Sequence, residues 1–163
     1  MSLKIVTGTD NPILRAVSKP LAAITKKTMK LVKDMAEAME LEKGVGIAAP
    51  QVGENVRIFL ALLDNTKLVA MINPEFLGHS DTMANGEEGC LSLPGEWGQV
   101  PRYTEVTIRF MDLKGRENTL KLKDFNARIV QHEMDHLDGI LFVDHVKPQA
   151  PFLHMPQFEE TER

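Results

Sequence analysis

Of 163 residues only one is cysteine, one tryptophan and one tyrosine. A lone thiol cannot close an internal disulfide, which excludes the stapled secreted scaffolds and points to a reducing compartment, the cytoplasm. No apolar run approaches the roughly 18 residues of a membrane-spanning helix, and residues 1–11 hold one lysine and no signal-like apolar stretch. No membrane association is expected. Positive charge is also short: 19 Lys+Arg against 23 Asp+Glu leave a net charge of −4, so no global field exists to gather nucleic acid. Repeats, low-complexity tracts and Gly/Ser linkers are missing too, and the length suits one domain of about 100–200 residues.

Local pattern sketches that domain. Asp10, Asn11 and Pro12 cap and start a short helical turn through Leu14 and Arg15. Over residues 25–42, Thr28, Leu31, Val32, Met35 and Met39 recur at helical spacing, and Gly44 is the expected stop. That Met-containing stripe reads as core packing. Residues 57–63 and 68–72 are short aliphatic runs separated by the turn pair Asp64 and Asn65, and so read as strands. Val106, Ile108 and Phe110 alternate with polar neighbours, then Lys114 and Gly115 turn the chain into residues 119–123, a half-buried hairpin. Asp124 is placed to cap a helix over 125–137 that Gly139 ends. Helices at both ends of a run of strands argue α+β. Residues 1–146 are read as the domain; 147–163, with Pro148, Pro151 and Pro156, are read as an irregular tail.

The last helix carries His132, Glu133 and His136 as H-E-x-x-H. Positions i and i+4 stack on one helix face, so both imidazoles reach one metal ion while the glutamate points at the metal's water. A catalytic metal needs a third protein ligand and keeps a position open. His145, His154 in the tail and Cys90 are candidates; Cys90, between Gly89 and Pro94, sits where the backbone is expected to be sharp and stiff. At this level a metalloprotease with another third ligand and a non-catalytic, metal-stabilised peptide-binding module both remain open. Glu88 and Arg102 either brace the Cys90 loop as a pair or are two solvated charges.

Residues 44–49 fit G-x-G-x-x-A, but here the motif follows a helix and Pro50 disfavours helix at Ala49, which argues against dinucleotide binding. Small residues there instead suit backbone lining a narrow groove in which an extended ligand pairs, with Gln51 as its long polar side chain.

Together, GVGIAAPQ at 44–51, EGCLSLP at 88–94 and QHEMDH at 131–136 resemble, in order and separation, the three signature motifs of peptide deformylase. The resemblance covers about residues 10 to 145. It implies an α+β fold of short antiparallel strands packed around a central metal-binding helix, with an N-terminal helix. It implies a hydrolase removing the formyl group from N-terminal formyl-methionine of nascent polypeptides, with Fe2+ that Zn2+, Ni2+ or Co2+ can replace. Carried over by position, the ligands fall on Cys90, His132 and His136, the acid/base on Glu133, and the oxyanion donors on the Gln51 amide and the Leu91 backbone N–H. Gly46 and Gly89 match positions that hold an extended substrate; Val45, Leu91 and Ile129 match the methionine pocket. Residues 95–99 fall where members vary. A basic C-terminal helix contacts the ribosome in some members, and the proline-broken tail ending near Glu159, Glu160 and Glu162 departs from that pattern.

Overall fold

A computed structural model describes residues 3–146, and the tail expected over 147–163, with His154, lies outside the described residues. A single-turn helix α1 (Pro12–Arg15) and a longer α2 (Lys26–Leu41) precede seven strands: β1 (Gly46–Ala48), β2 (Ile58–Leu63), β3 (Lys67–His79), β4 (Met83–Cys90), β5 (Leu93–Tyr103), β6 (Glu105–Met111) and β7 (Glu117–Lys123). Helix α3 (Asp124–Leu137) follows. The α+β expectation holds. One antiparallel sheet has the order β1-β2-β3-β6-β7, and β4 with β5 forms a separate antiparallel hairpin. Among the described residues no helix is long and apolar enough to cross a membrane.

Alternation along the strands sorts the core into two layers. Phe59, Ala61, Leu63 and Met71 face Ala127, Val130, Met134 and Leu137 of α3. Ile47, Ile58, Leu60 and Ile72 meet Val32, Met35, Ala38 and Met39 of α2 on the opposite face. Each such large side chain, fully buried, contributes about 1.5–3 kcal/mol, so the sheet and its two helices are a firm base. A third cluster, Leu14, Leu93, Val100, Leu141 and Phe142, seats the hairpin against α1 and the chain after α3.

Several local expectations are met. Asn11 caps α1 by accepting from the Ile13 N–H at 2.9 Å, and Thr25 caps α2 reciprocally with Thr28. Gly139 ends α3 at φ 75°. Others are corrected. The left-handed residue after α2 is Lys43 (φ 56°), not Gly44, whose N–H closes the helix end on the Met39 carbonyl at 2.9 Å. At Gly44 a Cβ would sit 3.0 Å from Leu91 Cδ1, a tight contact that a small shift of that side chain relieves. Asp124 does not cap α3: Lys123 is the cap position and no side chain caps it. β7 runs straight into the helix, and Asp124 makes the reversal at φ 53° while its N–H bonds the Thr104 carbonyl at 2.8 Å.

Strand β3 continues past Ile72 although Asn73 and Pro74 signal a turn, because register shifts absorb both residues. The Asn73 amide is bonded to both backbone groups of Leu21, tying the N-terminal segment to the sheet. Neither β1 nor the β4–β5 hairpin is anticipated by hydrophobic pattern. β4 and β5 are rich in Gly, Pro and Glu, residues depleted in strands, and bury few apolar side chains.

Candidate active site

Helix α3 presents three chemically different stripes. Ala127, Val130, Met134 and Leu137 are the apolar face on the sheet. Ile129 and Glu133 line a cleft of about 500 Å³ whose other walls include Val45, Gly46, Gln51 and Cys90. Arg128, Gln131, His132 and Asp135, at i, i+3, i+4 and i+7, form a polar stripe directed at the β4–β5 hairpin. H-E-x-x-H thus sits where sheet, hairpin and cleft meet.

Cys90 ends β4 and brings its sulfur to 3.3 Å from His136 Nε2. One ligating atom each from Cys90, His132 and His136 lies within 4.8 Å of the others. His132 Nδ1 donates to Glu88 Oε1 at 2.9 Å, which orients the ring and leaves Nε2 as the nitrogen for a metal. Burial alone would lower this imidazole, but Cys90 and Glu88 outweigh it and push it up to about 10, so a metal would take the place of a proton there. Burial holds His136 well below the usual histidine range and therefore neutral. A thiolate and two imidazoles suit a divalent transition metal of borderline softness, and three protein donors leave one position for water or substrate. The donor set fits a metal.

His145 is not part of this group. Its Nε2 is bonded to Asp135 Oδ2 at 2.8 Å, which takes it out of contention as the third ligand.

Glu133 is buried, and its Oε1 has no hydrogen-bond partner. Burial pushes its carboxyl up to about 7. A Cβ at Gly46 would lie 2.5 Å from Glu133 Oε2, so glycine makes room for this carboxylate at the cleft wall. Gln51 follows β1 in a short 3-10 turn, Ala49–Val52. Its Oε1 accepts from the Ala48 N–H at 2.9 Å, which orients the amide NH2 toward Ser92 Oγ (3.2 Å) and the Cys90 sulfur (3.6 Å). Gly89 is required by Trp97, whose ring atom Cζ3 would be 2.6 Å from an added Cβ. Val45, Leu91 and Ile129 all line the same cleft.

Glu88 and Arg102 form the bracing pair, with side chains 5% and 6% exposed. Arg102 Nε and Nη2 each reach a Glu88 oxygen at 2.9 Å, and Arg102 Nη1 reaches Asp135 at 2.7 Å. Burial alone would push the Glu88 carboxyl up; donation from Arg102 and His132 outweighs it and holds the group well below the usual carboxylate range. Glu88 is thus a fixed anion behind His132, the arrangement that orients a ligating imidazole and raises its basicity.

Ser92, fully buried behind Gln51, and the struts Arg128, Gln131 and Asp135 escape the sequence reading. The struts carry a visible signal, polar residues at helical spacing around His132, but Ser92 carries none.

A sequence profile of the family described as polypeptide deformylase matches residues 2–152. The peptide deformylase of Pseudothermotoga lettingae is 42% identical over 142 residues, covering 87% of this chain and 82% of that protein. That of Halothermothrix orenii is 44% identical over 137 residues, covering 83% and 88%. The crystal structure of peptide deformylase from Thermotoga maritima is similar at a TM-score of 0.87 and 35% identity, covering 91% of this chain and 99% of that one. An actinonin-bound class I type b peptide deformylase from Acinetobacter baumannii gives 0.84 and 39%, covering 90% and 99%. With a match spanning most of its length, and with its three motifs brought together in one cleft, the chain belongs to the polypeptide deformylase family.

Proposed function

We propose that the chain removes the formyl group from the N-terminal formyl-methionine of newly made polypeptides, with Cys90, His132 and His136 holding a divalent metal ion. The observation that carries this is the Cys, His, His group within 4.8 Å beside an open cleft, with the buried, unpartnered Glu133 carboxylate next to it. Fe2+ is the ion that the family resemblance implies for this site, with Zn2+, Ni2+ and Co2+ acceptable to the same donors. Bound there, such an ion supplies a Lewis acid and brings the pKa of water toward about 7.

The protein's own groups do the rest. Glu133 takes a proton from the attacking water and hands it to the leaving amine nitrogen, a task matched by a carboxyl raised to about 7. The Gln51 amide and the Leu91 N–H are assigned as donors to the oxygen that gains charge; fixed donors of this kind are each worth about 10²–10³ in rate. Gly46 and Gly89 line the groove with bare backbone, which suits pairing with an extended peptide. Val45, Leu91 and Ile129 are assigned to the methionine side chain. Residues 1–146 are assigned as the catalytic domain and 147–163 as a tail, to which no ribosome contact is assigned. A lone cysteine that serves as a metal ligand suits work in the reducing cytoplasm.

A metalloprotease is disfavoured because His145 is engaged by Asp135. A purely structural site is disfavoured because no fourth His, Cys, Asp or Glu joins the group among the described residues. The test is formate release from formyl-Met peptides by protein purified without oxygen, with metal content measured alongside. Formyl-Met peptides should exceed formyl-Ala peptides at least about tenfold in kcat/KM, since each lost methylene-sized contact costs about 0.8 kcal/mol. No formate release by metal-replete protein would overturn the proposal; equal kcat/KM for the two peptides would remove Val45, Leu91 and Ile129 from the methionine pocket.

A further inference from the structure

Cys90 rides on a hairpin that shares no ladder with the five-stranded sheet. Its position relative to the two histidines therefore depends on other attachments, and the polar stripe of α3 supplies three besides the bond of His132 itself to Glu88. Gln131 bonds both backbone groups of Tyr103, at 3.0 and 2.9 Å, and Asp135 holds Arg102 at 2.7 Å. The third is Arg128.

Its side chain is 13% exposed, and its donors reach the hairpin. Nη1 reaches Glu88 Oε2 at 2.7 Å and the Val100 carbonyl at 2.8 Å; Nη2 reaches the Ala84 carbonyl at 2.8 Å. Ala84 lies on β4 and Val100 on β5, so one guanidinium straps both strands. The strap crosses the hairpin at Gly86, which pairs with Val100. A Cβ on Gly86 would lie 2.8 Å from Cζ and 2.9 Å from Nε and Nη2 of Arg128. Gly86 is not among the residues with positive φ, so its backbone tolerates any side chain and only the guanidinium demands a glycine.

We propose that Arg128 is a positioning residue for the metal centre: from one turn ahead of His132 it locks the Cys90 hairpin onto α3 and completes the donor set that fixes Glu88 behind His132. The inference rests on the reading of Cys90, His132 and His136 as metal ligands. With Arg128 removed, Glu88 keeps Arg102 and His132 as partners but loses its link to both hairpin carbonyls, so the sulfur is free to drift from the imidazoles. Lysine restores the charge without the three-way fork, because an ammonium is a point charge and a guanidinium a planar array of donors.

The test uses Zn2+ alone as the probe, titrated into stripped full-length protein against a competing chelator, with the thermal midpoint of the stripped protein recorded in parallel. R128M should weaken Zn2+ binding about 10–100-fold, the usual cost of losing a group that orients a ligand, and R128K should recover only part of it. G86A should weaken binding in the parent and add nothing in the R128M background, since the group it displaces is then gone. A purely structural role would lower the thermal midpoint and leave Zn2+ affinity at the parent's value. That result, or deficits of G86A and R128M that simply multiply, overturns the inference. Where R128M does not fold, G86A alone decides, by weakened or parental Zn2+ binding. A parent that binds no Zn2+ overturns the ligand assignment itself, and this inference with it.

Discussion

In the five-stranded sheet every strand is paired, and α3 and α2 cover opposite faces around β1, β2 and the first half of β3, so its interior is Phe59, Leu60, Met71, Ile72 and their like, held by ladder and apolar contact. The β4–β5 hairpin puts the Glu88 and Arg102 side chains at 5% and 6% exposure where the sheet has aliphatics, and leaves Trp97 68% exposed at the rim of the cleft. The sheet supports the helix that bears His132, Glu133 and His136. The hairpin delivers the Cys90 sulfur. The centre thus lies on a seam between a region stabilised by burial and a region aligned by directional bonds. Burial is tolerant of small displacements, whereas a hydrogen bond weakens steeply with angle, so the polar half sets the geometry and the apolar half sets the stability.

The largest expected effect separates a reacting group from a strut. Glu133→Gln removes the proposed proton carrier on the cleft side of α3 and touches neither the hairpin bonds nor Cys90, His132 and His136. Turnover should fall by roughly 10²–10⁴ while bound metal stays at the parent's level. Metal lost in step with activity would make Glu133 a ligand and move it to the other side of the comparison.

Next comes a pair of substitutions, one in each region. Glu88→Ala leaves Arg102 and Arg128 as buried cations without their shared anion, which should cost about 3–5 kcal/mol of stability. It also frees His132 Nδ1, so metal affinity should fall by about 10–100-fold. Phe59→Ala opens a cavity under α3 and should cost a similar 3–5 kcal/mol or so, yet leave metal affinity of the folded protein unchanged. Denaturant midpoints and chelator competition on both variants check this. If Phe59→Ala loosens the metal as much as Glu88→Ala does, the two regions are not mechanically distinct.

The same division governs what the chain reveals before it is folded. α2, β2, β6 and β7 follow apolar period, and burial made each pattern: Val106, Ile108 and Phe110 all face the core. The far half of β3 is hidden because Asn73 and Pro74 carry a turn signal that the sheet overrides with bulges. β4 and β5 are hidden because their pairing is supported by Arg128, Gln131 and Arg102 and not by alternation. His132, Glu133 and His136 are legible as local spacing on one helix. Cys90 is legible only through its motif, since what brings it to them is hairpin geometry some 40 residues away in sequence. Glu88 with Arg102 stands as an even choice on sequence, because nothing local tells a buried pair from two solvated charges.

The smallest expected effect lies at the outer edge of the hairpin's seat, where Arg15 of α1 meets Asp144. Arg15 donates to Asp144 Oδ2 and Oδ1 at 2.6 and 3.1 Å, with side chains 33% and 38% exposed. The Arg15 bond is the main cause that holds the Asp144 carboxyl below its usual range, helped by the Leu141 N–H and opposed by slight burial. A depressed carboxyl stabilises the fold fully above the unfolded value of about 3.9 and loses that contribution as pH falls through the lower folded value. Asp144→Asn should therefore cost no more than about 1 kcal/mol near neutrality, as befits a half-exposed pair in water. Asparagine keeps one acceptor, enough for the Leu141 N–H, so what is removed is the charge and the second acceptor for Arg15. The penalty should shrink when the pH is taken below the lowered folded value, where the parent's own carboxylate is neutralised. Urea midpoints of parent and variant at the two pH values, both stripped of metal so that acid release of the ion does not enter, measure the difference. A penalty of equal size at both would mean that Asp144 acts through its shape and its bond to Leu141, and that this edge belongs with the packed region after all.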